Sequence, residues 1–478
     1  MMRGKSLLNG IASSEGKNRL VPLYGNEGVE EAAGRYAGLV EGMLQFAGTP
    51  ARGPVGFSRD TPVRDFPETA GDLRLFTAPG RTELGGNHTD HNQGNVLAAS
   101  IQLDQAAVAA PRKDGIVVFR STGYPDAVVN LHDGLEPVGA ETGTTEALIR
   151  GIAAEFIRRG TAVRGFTANA ASLVLSGSGL SSSAAVEVLI GRIFDNLYGG
   201  GKRSALELAQ IGQRAENRFF GKPSGLMDQA ACALGGAAAI DFQQADHPRI
   251  TAVPFDPAAA GYALCIVDTK GSHADLTGDY AGIPHEMKAV ARFFGKTVLR
   301  ELDVETVLAQ AGGIRQALGD RALLRSLHFF RENERVDAML KVLQEMEAPK
   351  SAEDNRETQM SRFLALVNES GDSSWELLQN IFAPRNPREQ ALALALALTR
   401  EFFDKRDKEG EKGAKGESRG KRTRGACRVH GGGFAGTIQA YIPPGVLPAY
   451  RSTMEALFGP GAVTELRIRP IGAVELYL

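Results

Sequence analysis

The sequence predicts a two-domain α+β protein, on three observations. The chain has 478 residues, more than one hydrophobic core ordinarily supports. Up to GGAAAIDF (235–242), strand-like runs alternate with helical segments. Strand-like runs then reopen at TAVPFDP (251–257) and YALCIVDT (262–269), ahead of long helical segments from about 284 to 403. A helical extension and linker over 1–70, a first domain over 71–245 and a second over 246–478 follow from this texture.

Residues 28–47 have helical spacing, with Tyr36, Leu39, Met43 and Phe46 as an apolar stripe. A Gly/Pro-rich link, TPARGPVGFSRDTP, comes next. LRLFTA (73–78), VLAASI (96–101) and GIVVFRS (115–121) read as strands, 144–159 as a helix and SLVLSG (172–177) as a further strand. A small-residue loop then leads into a helix from about Ser183, and 204–217 suits another. Residues 404–424 are nearly all charged residues and glycine, the composition of an exposed, mobile insertion. A basic nucleic-acid arm is the sharper reading, but acidic residues interrupt its first half. ACRVHGGGFAGTIQAYIP (426–443) reads as strand, glycine turn, then strand or helix, and ELRIRPIGAVELYL (465–478) as strand-like alternation.

Composition excludes several classes. Hydrophobic residues are 43% and charged residues 23%, the globular range. Lys plus Arg (54) nearly balances Asp plus Glu (56), so no global pull toward nucleic acid or anionic membrane is expected. Cys232, Cys265 and Cys427 lack metal-ligand spacing and sit among small or apolar residues, as buried reduced thiols do. The N-terminus shows no apolar stretch of signal-peptide length, and no run approaches the ~20 apolar residues of a membrane helix. A cytoplasmic protein, monomeric or weakly dimeric, is expected.

Four stretches carry chemistry. APGRTELGGNHTDHNQGNVL (78–97) crowds Arg81, Glu83, Asn87, His88, Asp90, His91 and Asn92 onto a glycine-rich backbone, reading as a polar loop. GSGLSSSAA (177–185) joins a strand to a helix. Gly177 and Gly179 permit close backbone approach, the serines add hydroxyls, and the helix start presents unpaired N–H groups. It suits phosphate, or is simply a serine-rich cap; neither a Walker A lysine nor a third Rossmann glycine is present. In ENRFFGKPSGLMDQA (216–230), Asp228 caps a helix or acts in chemistry, and Glu216 is a solvated helix carboxylate or a ligand. HGGGFAG (430–436) is a tight turn or a close approach to nucleotide.

Taken together and in order, these stretches resemble the GHMP small-molecule kinases, and within them the galactokinases. The family's first signature reads approximately G-R-V-N-L-I-G-E-H-T-D-Y-N-G-G; here it is GRTELGGNHTDHNQG. SHADLTGDY (272–280), FRENERV (330–336) and LVNESGDSSWE (366–376) also look like family segments. The resemblance implies an N-terminal domain with a mixed, ribosomal S5 domain 2-like sheet, a ferredoxin-like C-terminal domain, and an active site between them. It implies ATP and Mg²⁺, with a sugar phosphorylated at its anomeric hydroxyl, galactose first. Carried over, Gly177, Ser178, Gly179, Leu180, Ser181, Ser182, Ser183, Gly432 and Gly433 hold nucleotide, and Ser183 and Glu216 ligate Mg²⁺. Arg81 and Asp228 form the catalytic pair, the aspartate's pKa lowered by its partner. Asn87, His88, Asp90 and Tyr280 face the sugar. The chain departs from the pattern at Asn87 (family glutamate, on the 6-hydroxyl), Glu83 (family asparagine) and His91 (family tyrosine). These put galacturonate, arabinose and N-acetylgalactosamine beside galactose as acceptors. A sugar-sensing regulator without catalysis is the reading from another class. A mevalonate- or homoserine-type kinase offers no ring of hydroxyls to the His-Thr-Asp loop.

Overall fold

The computed structural model describes residues 2–45, 73–174, 177, 179–271, 276–347, 352–413 and 425–478. Two helices, α1 (Met2–Ala12) and α2 (Ser14–Gln45), precede the first strand. The expected stripe holds: Tyr36, Leu39 and Met43 are buried, while Phe46 lies outside the described residues. α2 runs from Ser14, but Gly25 (φ 69°, ψ 168°) is non-helical and kinks it, so the expected 28–47 segment is the run that follows this kink.

Strands β1 (Arg74–Gly85), β2 (Asn95–Pro111), β3 (Ile116–Ser121) and β4 (Ala127–Asn130) come next. Helix α3 (Thr145–Arg158), strand β5 (Phe166–Ser172), helices α4 (Ser182–Phe194), α5 (Ala205–Ala215) and α6 (Met227–Leu234), and strands β6 (Ala237–Asp241) and β7 (Arg249–Val253) follow. Alternation along the strands decides what lies on each face. Phe76, Ala107 and Ala109 pack with α3–α6, whereas Leu75, Ala106, Val108 and Ala110 pack under α2. With both faces covered, β1 and β2 are buried almost throughout. Asp104 fastens the extension to the sheet: the carboxylate is fully buried, 2.6 Å from Arg35 of α2 and 3.1 Å from Arg469.

Strand β8 (Ala263–Asp268) opens the second sheet. Helices α7 (Thr277–Phe293), α8 (Val304–Ala309), α9 (Ala311–Leu318), α10 (Asp320–Glu347), α11 (Ala352–Ser373) and α12 (Ala391–Gly413) follow. Then come β9 (Ala426–His430), β10 (Thr437–Ile442), α13 (Leu447–Phe458) and β11 (Val463–Leu466). This sheet is antiparallel in the order β11-β8-β10-β9, with α12 and α13 on one face. The final strand, β12 (Val474–Leu476), returns to pair with β1. The first sheet runs β12-β1-β2-β5-β3-β4, with β6 on β2 and β7 on β6, and among the described residues only β3–β5 is parallel.

Four sequence expectations differ from what is seen. The strand placed at 172–177 lies at 166–172, because the Ala/Thr-rich segment pairs on both edges, with β2 and β3. The polar stretch read as a loop from residue 79 is strand to Gly85, with register shifts at Pro79/Arg81 and Glu83/Gly85 that re-aim its side chains. β7 and β12, assigned from sequence to the second domain, hydrogen-bond into the first sheet. The charged run from 404 continues α12 to Gly413, and 414–424 lie outside the described residues. Cys232, Cys265 and Cys427 are free and buried, as expected. Among the described residues no helix is long and apolar enough to cross a membrane.

Candidate active site

The bulged end of β1 delivers Arg81 to the start of α6. Its guanidinium meets Asp228 twice, Nε at 2.8 Å and Nη2 at 2.7 Å from Oδ1. Nη1 donates to the carbonyl of Gly179, and the Arg81 amide donates to Leu180 O at 3.1 Å. Arg81 thus holds both the carboxylate and the glycine–serine loop. The other Asp228 oxygen accepts from Ser181 Oγ. Asp228 does not cap α6; it sits inside the first turn, after Leu226 at the cap, with its side chain turned to Arg81 and Ser181. Burial opposes its ionisation, but Arg81, then the Ser181 hydroxyl and Lys222, outweigh burial and hold the carboxyl below its ordinary value.

Three described residues of the loop are left-handed: Gly177 (φ 76°), Gly179 (φ 70°) and Ser181 (φ 64°). Ser181 leads into the first turn of α4, formed by Ser182 and Ser183. Ser181 makes no side-chain cap bond, so the first N–H groups of α4 keep their donor capacity for an anion. Leu180 is buried beneath the loop. Ser178 lies outside the described residues.

Ser183 Oγ is 3.3 Å from Glu216 Oε1. That same oxygen accepts from Lys222 Nζ at 2.9 Å. Glu216 Oε2 accepts from Gln229 Nε2, which also donates to Glu187, each at 2.9 Å. Glu187 is fully buried, and burial, followed by the Glu216 charge, pushes its carboxyl well above the ordinary value.

The turn after β1 is tied by Thr89, whose hydroxyl lies 2.9 Å from Gly86 O and 2.6 Å from Asn95 O and donates its one proton between these carbonyls. It projects His88 (φ 61°) and Asp90 toward α6 and the 431–433 turn. His88 Nε2 donates to Gly432 O at 2.9 Å, which leaves Nδ1 as an acceptor with no protein partner. Burial, aided by His91, lowers its pKa to about 3, so the ring is neutral at pH 7. Asp90 packs on Gly225 so closely that a Cβ there would lie 1.7 Å from its Oδ2. Asn87, expected at the sugar, instead points into the protein. Its Nδ2 donates to Glu83 (3.0 Å) and Gly431 O (2.7 Å), and its Oδ1 accepts from Asn380 (2.8 Å). Glu83 in turn pairs with the fully buried Arg428 of β9.

The glycine turn 431–433 fits between these groups. Gly431 abuts Gly179, and Tyr280 donates to Gly433 O at 3.0 Å. A Cβ on Gly432 would fall 1.9 Å from the Tyr280 ring. Gly432→Ala must therefore expel that ring, an overpacking cost of about 1–3 kcal/mol, expected as a lowered thermal midpoint. The turn's carbonyls are spent on His88, Asn87, Asn380 and Tyr280, so it braces the first signature against the 177–183 loop. Sequence reasoning missed Lys222, Asn380 and Arg428. Only Lys222 left a signal, one of two cations (with Arg218) inside ENRFFGKPSGLMDQA.

Comparison with known proteins fits this geometry. The family description "GHMP kinases N terminal domain" matches residues 147–236, and "Galactokinase galactose-binding signature" matches residues 64–111. The chain is 34% identical over 278 residues to a galactokinase of Streptomyces coelicolor, covering 56% of this chain and 69% of the relative. It is 32% identical over 302 residues to a galactokinase of Glaesserella parasuis, covering 62% of this chain and 72% of the relative. In fold it is similar to Lactococcus lactis galactokinase complexed with galactose (TM-score 0.66, 23% identity, 84% of this chain and 95% of the other). It also resembles Methanococcus jannaschii mevalonate kinase (TM-score 0.54, 12% identity, 84% and 99%). With a bulged Arg81 strand, a serine loop opening α4 and relatives at this identity, the chain belongs to the galactokinase family of GHMP kinases.

Proposed function

We propose that this protein transfers the γ-phosphoryl group of ATP to the anomeric hydroxyl of a galacto-configured sugar, galactose first. The observation that carries the reading is the meeting of Arg81 and Asp228, 147 residues apart in the chain, at the loop formed by residues 177–183. The left-handed loop and the start of α4 hold phosphate. Arg81 offsets charge on the transferred group. Asp228, held as the anion, orients the anomeric O–H. As the sugar oxygen bonds to phosphorus and the bond to ADP breaks, the hydroxyl proton passes to Asp228. A weak base suffices, because a loose transition state does not need early deprotonation. His88 Nδ1 and the Asp90 carboxylate accept from ring hydroxyls, whose loss would leave buried acceptors unpaired.

The donor set fits Mg²⁺. Neighbouring ligands on a hexacoordinate Mg²⁺ with ~2.1 Å bonds lie about 3 Å apart, and Ser183 Oγ and Glu216 Oε1 are 3.3 Å apart. These two residues would hold the ion, which when bound neutralises charge on the phosphates.

Asn87 favours a second reading of the acceptor. With its amide used by Glu83, Gly431 and Asn380, residue 87 supplies no carboxylate to a 6-hydroxyl. Sugars without or altered at C6 then lose little. ADP release measured across galactose, arabinose, galacturonate and N-acetylgalactosamine decides. Turnover of galactose is the expected result, turnover of another sugar alone reassigns the acceptor, and binding without turnover makes the protein a regulator.

A further inference from the structure

We propose that Lys222 is the resident cation of the Ser183–Glu216 site: its ammonium occupies the carboxylate oxygen that a divalent metal must take, and the metal–nucleotide complex displaces it. The inference rests on the kinase reading above, with Ser183 and Glu216 as the metal's protein ligands.

The placement is built by the backbone. Residues 216–220 form a wide turn that closes at Gly221 (φ 86°). The amides of Gly221 and Lys222 both return to Glu216 O, at 3.0 and 3.2 Å. The chain thus doubles back, and Lys222 lands on the side chain six residues before it. Its Nζ lies 2.9 Å from Glu216 Oε1, the oxygen that Ser183 Oγ also approaches.

The two partners are unequal. The Glu216 side chain is 2% exposed and its Oε2 is fixed by Gln229, whereas Lys222 is 54% exposed on a flexible stem. The carboxylate stays; the ammonium can leave. There is also a reason for a cation when no metal is bound. Glu216, Glu187 and Asp228 place three acidic groups around this point, and Lys222 acts on all three. A metal arriving at Oε1 brings its own positive charge, so both cations cannot share the oxygen. Binding the metal therefore includes breaking the Lys222–Glu216 pair.

Calorimetric titration of Mn²⁺·ADP, and of ADP with chelator, into wild type, Lys222→Met, Lys222→Arg and Glu216→Gln tests this. Losing a half-exposed pair as competitor should tighten Mn²⁺·ADP binding to Lys222→Met about fivefold. Lys222→Arg should bind as wild type, and metal-free ADP should bind the wild type and Lys222→Met equally. Unchanged or weaker Mn²⁺·ADP binding by Lys222→Met overturns the inference, as does an equal change with metal-free ADP. Weaker Mn²⁺·ADP binding by Glu216→Gln leaves the metal reading standing whatever Lys222 does. If Glu216→Gln binds as wild type, the metal reading and the inference fall together.

Discussion

Asp228→Asn is expected to lower kcat by about 10²–10⁴-fold while the sugar KM stays within a few-fold. The amide keeps the size and one acceptor oxygen of the carboxylate, so Arg81 retains a partner and Ser181 can donate or accept as needed. What is lost is a group able to take the anomeric proton. Because that interaction matures only as the phosphoryl group transfers, kcat and kcat/KM should fall together. The pH profile adds a separate check. Arg81 and Ser181, against burial, hold the Asp228 carboxyl below its ordinary value, so any acid limb it causes lies below the usual carboxylate range. The stability contributed by its ionised form is present above the unfolded pKa and is lost as pH falls through the lower folded pKa; Asn removes that acid-range loss. Steady-state kinetics retaining more than a tenth of wild-type kcat would take Asp228 out of the proton transfer.

Much of this site was legible because glycine and serine carry local rules. Gly177, Gly179 and the serines announced a loop entering a helix, and α4 begins at Ser182, one residue before the expected start. Asp228 was ambiguous between cap and chemistry on local grounds, since nothing in GLMDQ says where Arg81 is. Only the order of motifs joined them, and the bulges in β1 that aim Arg81 have no residue signature. Asn87 was misplaced for a related reason. Its neighbours His88 and Asp90 do project toward α6, but its own direction is set by Asn380 and Gly431, from segments far along the chain. Lys222 escaped notice because a six-residue spacing pairs side chains on neither a helix nor a strand. The Gly221 reversal creates the contact.

The Glu83–Arg428 pair carries the second large expected effect. Glu83→Ala should destabilise the protein by about 3–5 kcal/mol, and Glu83→Met combined with Arg428→Met should recover most of the loss. Arg428 is fully buried and Glu83 is 2% exposed. Arg428 Nε and Nη1 have no hydrogen-bond partner, so Glu83 takes the guanidinium's hydrogen bond at Nη2. Its removal strands a charge and leaves an Asn87 amide hydrogen without its acceptor. Yet burial pushes the Glu83 carboxyl above its ordinary value despite Arg428 and Arg81. The sign matters: for a raised pKa, the stabilisation is complete below the unfolded value and is lost as pH rises through the folded one. Burial thus disfavours the Glu83 anion more than its partners favour it, so two apolar side chains of similar size are expected to replace the pair where one alanine, stranding Arg428, does not. The pair joins β1 of the first sheet to β9 of the second, and through Asn87 and Gly431 it fixes the glycine turn against the 177–183 loop. A Glu83→Ala protein should therefore show a lower thermal midpoint by calorimetry, and the double variant should regain it with its acid-to-neutral dependence flattened. A single variant melting with the wild type would mean that Arg428 finds another counter-charge, and Glu332, which feels its charge without bonding to it, is the group to replace next.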